Sequence, residues 1–435
     1  MVHYLKIKNF GPINDEVEIN FEVAGKSEQA AYEVEMADGR RLIKLAYIYG
    51  ANASGKTSIL EAFELLRILL LNPAPYKSIK LGFEPFLFCE NPFERPSRFD
   101  FSFYVEGVRY LYEVVFDQTS IREEKLSLFR SAKPTELFIR NTDAERRLSS
   151  IHFGARAKVP VRERELLESN TLHNTTVIGA YARTNADIPA LETLYKWLEH
   201  FFLGMVMADS NMTNVTASKV SDDQNFKAWM ISFLNKADQQ ITDIEVVDYR
   251  IKQLNISFAT TGNFLRKSED EDLSAALKTT INYSPFKIDL VHRLDQDNQY
   301  SLPFSLESNG TKSYFGLGGP LYDLINSSHF LSIDEMGSSL HSDLMIHFLQ
   351  TFLLNATDSQ LLITTHDLNM LSQQDFIRWD ALWFCEKKED GSVNLYSAAD
   401  FDSAALRKGS NLANAYRAGR LGAKPNLGSP YLLEN

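Results

Sequence analysis

The sequence predicts an α/β fold, because strand-type apolar runs and a helical pattern follow one another along the chain. The first run, 44–49, leads into a glycine-rich loop and then into a segment, 58–69, whose apolar residues recur at helical spacing. The second run, 329–335, ends in two carboxylates, and the third, 360–367, ends in a polar cluster. Continuous apolar runs of this kind are typical of strands that are buried on both faces of a sheet.

The glycine-rich loop at 50–57 reads G-x-x-x-x-G-K-T, the phosphate-loop motif. In this motif backbone N–H groups surround the phosphates of a nucleotide, Lys56 reaches the outer phosphates, and the Thr57 hydroxyl can coordinate Mg²⁺. The helix that follows adds its positive dipole end to the anion site. The sequence therefore predicts a nucleotide site made by Gly50, Asn52, Ala53, Ser54, Gly55, Lys56, Thr57 and Ser58.

Composition describes a globular chain with a sizeable core, since 44% of its 435 residues are hydrophobic and 23% are charged. No stretch has the apolar length of a membrane span, and the N-terminus alternates like a β-strand rather than a signal peptide. We therefore expect a cytoplasmic protein. Cys89 and Cys385 lie far apart without metal spacing and are expected in the core. The formal net charge of −12 argues against a surface that is basic overall.

The chain is expected to divide into segments 1–150, 151–240 and 241–435. In the first, the runs at 98–105 and 108–116 alternate on either side of a Glu-Gly turn, which predicts a hairpin, and 136–140 predicts a further strand.

The middle segment changes to helical spacing at 163–167, 190–203 and 225–237. Its aromatic residues are expected in the core: Trp197, Phe201, Phe202, Phe226, Trp229 and Phe233. From 241 the pattern returns to strands, at 241–247 and 254–258, with a solvated loop at 266–272. The absence of a long heptad run excludes a long coiled-coil arm.

Two strand ends supply the side chains that nucleotide hydrolysis needs. At the end of the run 329–335, Asp334 is expected to hold Mg²⁺ and Glu335 to polarise the attacking water. At the end of the run 360–367, His366 is placed to sense the outermost phosphate. Acidic residues end many strands, so these side chains become specific only together with the phosphate loop.

A further segment, 304–313, precedes an apolar stretch that runs to Leu324. Ser308 and Gly310 present a hydroxyl and free N–H groups at a helix start, which is one form of anion site. The alternative is an ordinary N-cap by Ser308 or Asn309, with Thr311 and Lys312 in the first turn.

The order of these motifs resembles that of ABC-type ATPases. Within that superfamily the chain is similar to bacterial stand-alone ABC-type ATPases of the AAA-like group, relatives of the SMC, RecF-like and OLD-family heads. The pieces that carry the resemblance span most of the chain: 5–13, 50–57, 307–312, 332–335, 339–341, 364–367 and 416–425.

The resemblance implies an ABC-type P-loop head, with a mixed central sheet, an antiparallel β subdomain and a mainly helical insert at 151–240. The lobe 1–150 would carry the phosphate loop, and the lobe 241–435 the other motifs. It implies ATP and Mg²⁺ as ligands and a homodimer or larger assembly in which Ser308 and Gly310 contact the partner's nucleotide. His341 stands where transporters carry an acidic residue, and the usual glutamine has no clear equivalent, since Gln118 has an unconvincing spacing.

Two functions follow from the resemblance. The first is an ATPase that acts as a sensor and scaffold in an anti-phage system of the retron-associated, Septu-like or PARIS-like kind, where it controls a separate nuclease or toxin. The second is a RecF-like or SMC-like ATPase that clamps DNA. Candidate phosphate contacts for the second are Arg156, Lys158, Arg162, Arg164, Arg407, Lys408, Arg417, Arg420 and Lys424. A transporter subunit or a small-molecule kinase fits the motifs less well.

Overall fold

The computed structural model describes residues 1–25, 29–207, 212–249, 285–295, 298–337, 340–373, 377–401 and 412–424. The strands of this part are β1 (Val2–Lys8), β2 (Val17–Asn20), β3 (Glu33–Glu35), β4 (Arg41–Ile43), β5 (Leu45–Tyr49), β6 (Ser97–Val105), β7 (Val108–Phe116), β8 (Ile121–Phe129), β9 (Thr135–Asp143), β10 (Leu148–Phe153), β11 (Val206–Met207), β12 (Ile241–Asp248), β13 (Phe286–Arg293), β14 (Gln299–Pro303), β15 (Phe330–Asp334), β16 (Gln360–Thr365), β17 (Leu382–Lys387) and β18 (Val393–Ser397). The helices are α1 (Lys56–Leu71), α2 (Val161–Asn170), α3 (Val177–Tyr181), α4 (Pro189–Phe201), α5 (Thr213–Asp222), α6 (Gln224–Ala237), α7 (Asn309–Asn326), α8 (Ser342–Asn355) and α9 (Leu412–Arg417).

Contacts group the chain into two compact units, and both are discontinuous in sequence. The first comprises Met1–Met207, Leu324–Met336 and Thr351–Asn435, and the second comprises Ala208–Asp323 and Gly337–Gln350. The segment predicted as a helical insert is shared between them, because α2, α3 and α4 lie in the first unit and α5 and α6 in the second.

The first unit contains the predicted mixture of sheet types. Within the described residues, one sheet runs β11-β15-β16-β5-β17-β18, parallel except for its last pair, β17 and β18. A second, antiparallel sheet runs β10-β9-β8-β7-β6-β1-β2. The predicted hairpin is β6–β7, and the strand expected at 136–140 lies in β9. This topology confirms the predicted α/β fold class, with a mixed central sheet and an antiparallel β subdomain.

Strand β5 lies inside the first sheet, and all five of its residues are buried, as its continuous apolar sequence predicted. It pairs in parallel with β16 on one side and β17 on the other. Helix α1 buries Phe63, whose ring lies 4.8 Å from that of Phe330 at the start of β15. The Gln360 side chain joins the two sheets, since Nε2 donates to Val2 O at 2.9 Å and to Ile43 O at 3.1 Å.

The second unit packs α5, α6 and the greater part of α7 beside the small sheet β12-β13-β14. The Phe233 ring stacks on that of Tyr314 with 4.4 Å between centroids. A Cβ added at Gly319 would lie 2.6 Å from Thr216 Oγ1, so the absence of a side chain there allows α7 to approach α5. The segments expected at 254–258 and 266–272 fall outside the described residues.

The aromatic residues expected in the core are mostly buried. Phe201, Phe202, Phe226 and Phe233 are each at most 4% exposed, whereas Trp197 and Trp229 are half-buried. For the cysteines the expectation holds for Cys385, which is buried, while Cys89 is only partly buried. None of the helices that the structure describes is long and apolar enough to cross a bilayer.

A buried carboxyl group in the antiparallel sheet makes stability depend on pH. Glu124 is 1% exposed; it accepts hydrogen bonds from Tyr112 Oη at 2.9 Å and from Val177 N at 2.8 Å. Burial raises the pKa of Glu124 to about 7. At pH values between the pKa of Glu124 in the unfolded chain and its pKa in the folded protein, this carboxyl binds a proton only in the folded protein. The stability that this proton contributes is complete at acidic pH and is lost as pH rises through about 7.

When the pH is raised from about 5 to about 8, we therefore expect the free energy of unfolding to fall by a few kcal/mol more in the wild type than in Glu124→Gln. Urea unfolding at the two pH values measures this difference. Glu123→Gln, which removes the exposed neighbouring carboxylate, is the matched control and should follow the wild type. Parallel behaviour of all three proteins would show that Glu124 is ionised in the folded state.

Candidate nucleotide-binding site

The predicted phosphate loop lies between the end of β5 and the start of α1, and two of its glycines are required by their surroundings. Gly55 has a φ of +96°, and a Cβ there would lie 2.4 Å from Val393 Cγ2. A Cβ at Gly50 would lie 2.3 Å from the carbonyl oxygen of Cys385. The β17–β18 hairpin therefore packs directly against the loop, and only glycine fits at these two positions.

The side chains of the loop present donors to its interior. Lys56 is 6% exposed, and its Nζ donates to the carbonyl oxygens of Gly50 and Ala51, both at 2.9 Å. Burial lowers the pKa of Lys56, while the nearby Cys385, Glu335 and Asp334 act in the opposite direction. Ser54 Oγ is buried and has no hydrogen-bond partner among the described residues. An orphaned hydroxyl and an ammonium at the start of a helix fit an anionic ligand such as a triphosphate.

Oxygen ligands suited to Mg²⁺ meet at the end of β15. Thr57 Oγ1 donates to Asp334 Oδ2 at 2.8 Å, and Thr364 Oγ1 donates to Asp334 Oδ1 at 2.5 Å. Asp334 is 4% exposed, so its carboxylate faces these hydroxyls rather than solvent. Within the described ranges no group of three or more His, Cys, Asp or Glu side chains forms a metal site. The residues present fit a Mg²⁺ that is completed by phosphates and water, as this hard cation prefers.

Glu335 occupies a strained turn immediately after β15. Its φ is +50°, a conformation that glutamate rarely adopts and that costs roughly 1–3 kcal/mol. Glu335 N donates to Thr364 Oγ1 at 2.7 Å, and Met336 N donates to Thr364 O at 3.0 Å. Thr364 thus binds both the side chain of Asp334 and the backbone of Glu335, while the Glu335 carboxylate stays exposed.

His366 follows β16 and is exposed. It lines a cavity of about 630 Å³ whose described lining also includes Gly50, Ala51, Asn52, Leu368, Tyr416, Arg417 and Lys424. The structure therefore brings the phosphate loop, Asp334, Glu335 and His366 together at the ends of β5, β15 and β16. Thr57 of the loop contacts the Asp334 carboxylate, and Thr364 bridges Asp334 and the backbone of Glu335. His366 lines the cavity beside the loop.

The chain matches a family model described as "AAA domain, putative AbiEii toxin, Type IV TA system" over residues 45–372, which include the phosphate loop, Asp334, Glu335 and His366. The chain belongs to this family. No curated protein matches it at a significant level.

The AAA domain is also similar to solved structures. One is an SMC head domain from Thermotoga maritima, with 13% identity and a TM-score of 0.39, covering 91% of this chain and 98% of that one. A second is an SMC head bound to the C-winged helix domain of ScpA, with 11% identity and a TM-score of 0.42, covering 91% and 97%. A third is an SMC head bound to the C-terminal domain of ScpA derived from Pyrococcus furiosus, with 12% identity and a TM-score of 0.36, covering 96% and 98%.

Ser308 and Gly310 belong to the second compact unit, whereas the phosphate loop belongs to the first. Ser308 is an N-cap of α7, since its Oγ accepts from Thr311 N at 3.0 Å and its carbonyl accepts from Lys312 N at 3.0 Å. Oε1 of the adjacent Glu307 accepts a hydrogen bond from His292 Nε2 on β13 at 2.7 Å. The N-cap by Ser308 that the sequence offered as the alternative is therefore confirmed, and a role for Ser308 and Gly310 at a nucleotide stays a prediction.

The sequence assigned no role to Thr364, and it indicated Arg417 and Lys424 only as candidate DNA contacts. The signal for Thr364 was its position two residues before His366, at the end of an apolar run. Gln118, the weak candidate for the usual glutamine, binds Phe83 O and Glu84 Oε2, both at 3.0 Å. His341 is exposed, and Ser338 and Ser339 beside it lie outside the described residues.

Proposed function

We propose that this AAA domain binds ATP with Mg²⁺ and hydrolyses it to ADP and phosphate. The observation that carries the proposal is the 2.8 Å hydrogen bond between Thr57 of the phosphate loop and Asp334 of β15. A threonine hydroxyl and a buried carboxylate at this spacing are the pair that P-loop NTPases use to hold Mg²⁺. Phosphate release from ATP by the purified chain, lost in Lys56→Ala, tests the proposal.

In the proposed reaction each residue has one role. The loop N–H groups and Lys56 bind the phosphates, and Thr57 and Asp334 hold Mg²⁺, which neutralises charge on the phosphate oxygens. Glu335 orients the attacking water and accepts its proton, as its exposed carboxylate allows. Thr364 positions Glu335 through its backbone N–H. His366 donates a hydrogen bond to the outermost phosphate in the transition state.

The proposed active form is a head-to-tail homodimer in which Ser308 and Gly310 of one copy contact the nucleotide of the other. Its support is that Ser308 is exposed and Gly310 is half-buried at the start of α7, and that the N-terminus of a helix favours an anion. The arrangement is drawn from the resemblance of the motif order to that of ABC-type ATPases.

Ser308→Arg is expected to reduce steady-state hydrolysis by at least about tenfold, because the bulky arginine side chain blocks the approach of the partner's nucleotide. The monomer fold should not change, since Ser308 is exposed, and ATP binding to the monomer should persist. Ser308→Ala, which removes the cap without adding bulk, is the matched control for helix stability. Wild-type hydrolysis by Ser308→Arg would exclude the sandwich.

We further propose that the ATPase acts in the cytoplasm as a sensor and scaffold in an anti-phage system, where it controls a separate effector such as a nuclease or toxin. The family description, which names a toxin of a type IV toxin–antitoxin system, supports a place among such two-component systems. The efficiency of phage plating on bacteria that carry the gene with its neighbours tests this role. Protection that disappears in Lys56→Ala supports it, and equal plating on all strains contradicts it.

The alternative function is a clamp on duplex DNA, for which the structure offers less support. Arg156, Lys158 and Arg162 are exposed, but α2, which carries Arg162, also carries three glutamates at 163, 165 and 168. Arg407 and Lys408 lie outside the described residues. DNA binding that needs ATP and falls steeply with salt, without any effect on phage plating, would favour the clamp.

A further inference from the structure

The C-terminal segment of the described chain, residues 412–424, is attached to the phosphate loop. Ala51 N in the loop donates to Ala423 O at 3.1 Å. Helix α9 begins this segment, and the Tyr416 ring stacks on that of Phe384 in β17 with 6.0 Å between centroids. Since β17 pairs with β5, the strand that leads into the loop, the segment rests on the same layer as the loop itself.

The segment is held in one conformation by contacts on its inner side. Tyr416 Oη donates to Ala423 O at 2.8 Å, and Tyr396 Oη donates to Leu421 O at 2.9 Å. Leu421 and Ala423 are at most 1% exposed. Gly422 has a φ of +65°, and a Cβ there would lie 2.2 Å from Tyr396 Oη, so this turn requires glycine. These contacts give the segment a fixed conformation, and we call residues 412–424 the wall.

The outer side of this wall presents cations to the cavity beside the phosphate loop. Arg417 and Lys424 are exposed and line the cavity together with His366 and residues 50–52. Lys424 Nζ donates to the Arg417 carbonyl oxygen at 2.6 Å, which keeps the two side chains adjacent. Among the described lining residues none carries a carboxylate. Such a cavity attracts an anion, and a phosphate group held by the adjacent phosphate loop would be an anion within its reach.

We propose that Arg417 and Lys424 bind the outer phosphate of the nucleoside triphosphate from the cavity that they line with residues 50–52 and His366. The proposal rests on the proposed nucleotide-binding function and adds a second recognition element from outside the matched family region, 45–372. Arg417 supplies a planar fork of donors that suits phosphate oxygens, and Lys424 supplies a point charge. A diphosphate lacks the group that these side chains bind, so they make the site selective for the triphosphate.

The test compares ATP and ADP binding in the full-length chain, in a Glu335→Gln background that limits hydrolysis. A fluorescent ribose-labelled analogue of each nucleotide is titrated into the parent, Arg417→Ala, Lys424→Ala and Lys56→Ala. Arg420→Ala is the matched control, because Arg420 is exposed on the same segment but does not line the cavity. Melting temperatures equal to that of the parent show that the variants fold, and Arg417→Lys tests whether charge alone suffices.

The expected result is a loss of about tenfold in affinity for ATP in Arg417→Ala and in Lys424→Ala, with ADP affinity unchanged within about twofold. Arg420→Ala should match the parent. ATP affinity that is unchanged in both variants, or that falls equally for ATP and ADP, overturns the proposal. Loss of duplex DNA binding with unchanged nucleotide affinity would overturn it in favour of nucleic acid. If Lys56→Ala binds like the parent, the proposed nucleotide site itself fails, which is a different outcome.

Discussion

Replacing Glu335 by glutamine is expected to slow ATP hydrolysis by at least about 100-fold while ATP binding persists. Glutamine keeps the size of the side chain and its strained backbone position, at a φ of +50°, but it cannot accept the proton of the attacking water. Mg²⁺ binding should not change, because Asp334 and Thr57 stay intact. Single-turnover phosphate release with excess enzyme measures the chemical step directly.

The matched control for Glu335→Gln is Glu61→Gln, which removes an exposed carboxylate from α1, the helix that follows the phosphate loop. It should hydrolyse ATP like the wild type, because Glu61 is not part of the site. A wild-type rate in Glu335→Gln would show that another group accepts the proton and that the assigned role is wrong.

Replacing Lys56 by alanine is expected to weaken ATP binding by at least about 100-fold, since a charge-assisted hydrogen bond contributes roughly 1.5–3 kcal/mol and the ammonium can reach two phosphates. The ammonium is already inside the loop, where it donates to the carbonyls of Gly50 and Ala51. Isothermal titration with ATP and Mg²⁺ gives the affinity. Hydrolysis should be lost in parallel.

The control for Lys56→Ala is Lys77→Ala, which removes an exposed lysine of the same unit without touching the loop. Because Lys56 also binds the loop carbonyls, thermal unfolding of Lys56→Ala shows whether the loop still folds. A folded Lys56→Ala that binds ATP as tightly as the wild type would contradict the assignment of the loop.

The parts of the fold that depend on neighbouring residues could be predicted from the sequence. The strand, loop and helix at 45–71 follow one another along the chain, and their apolar spacing is a local signal. The same holds for the β6–β7 hairpin, whose two strands are joined by a Glu-Gly turn. The association of Asp334 with the phosphate loop was predicted because the motifs share a known order.

Other features depend on contacts between distant segments, which periodicity does not report. The bridge by Thr364 needs the parallel pairing of β15 with β16, which brings Thr364 to the Asp334 carboxylate. The placement of residues 412–424 against the phosphate loop needs the β17–β18 hairpin and the Gly422 turn. The two compact units interleave along the chain, so no linker composition marks their boundaries.

We propose that ATP drives the assembly of copies of this AAA domain through the site at Lys56, Asp334 and Glu335. The most direct test is the mass of Glu335→Gln in solution, by light scattering after size exclusion, with and without ATP and Mg²⁺. We predict an increase of about twofold on addition of ATP and Mg²⁺, and no increase in the double variant that also carries Ser308→Arg. A mass that is the same with and without nucleotide would contradict the claim.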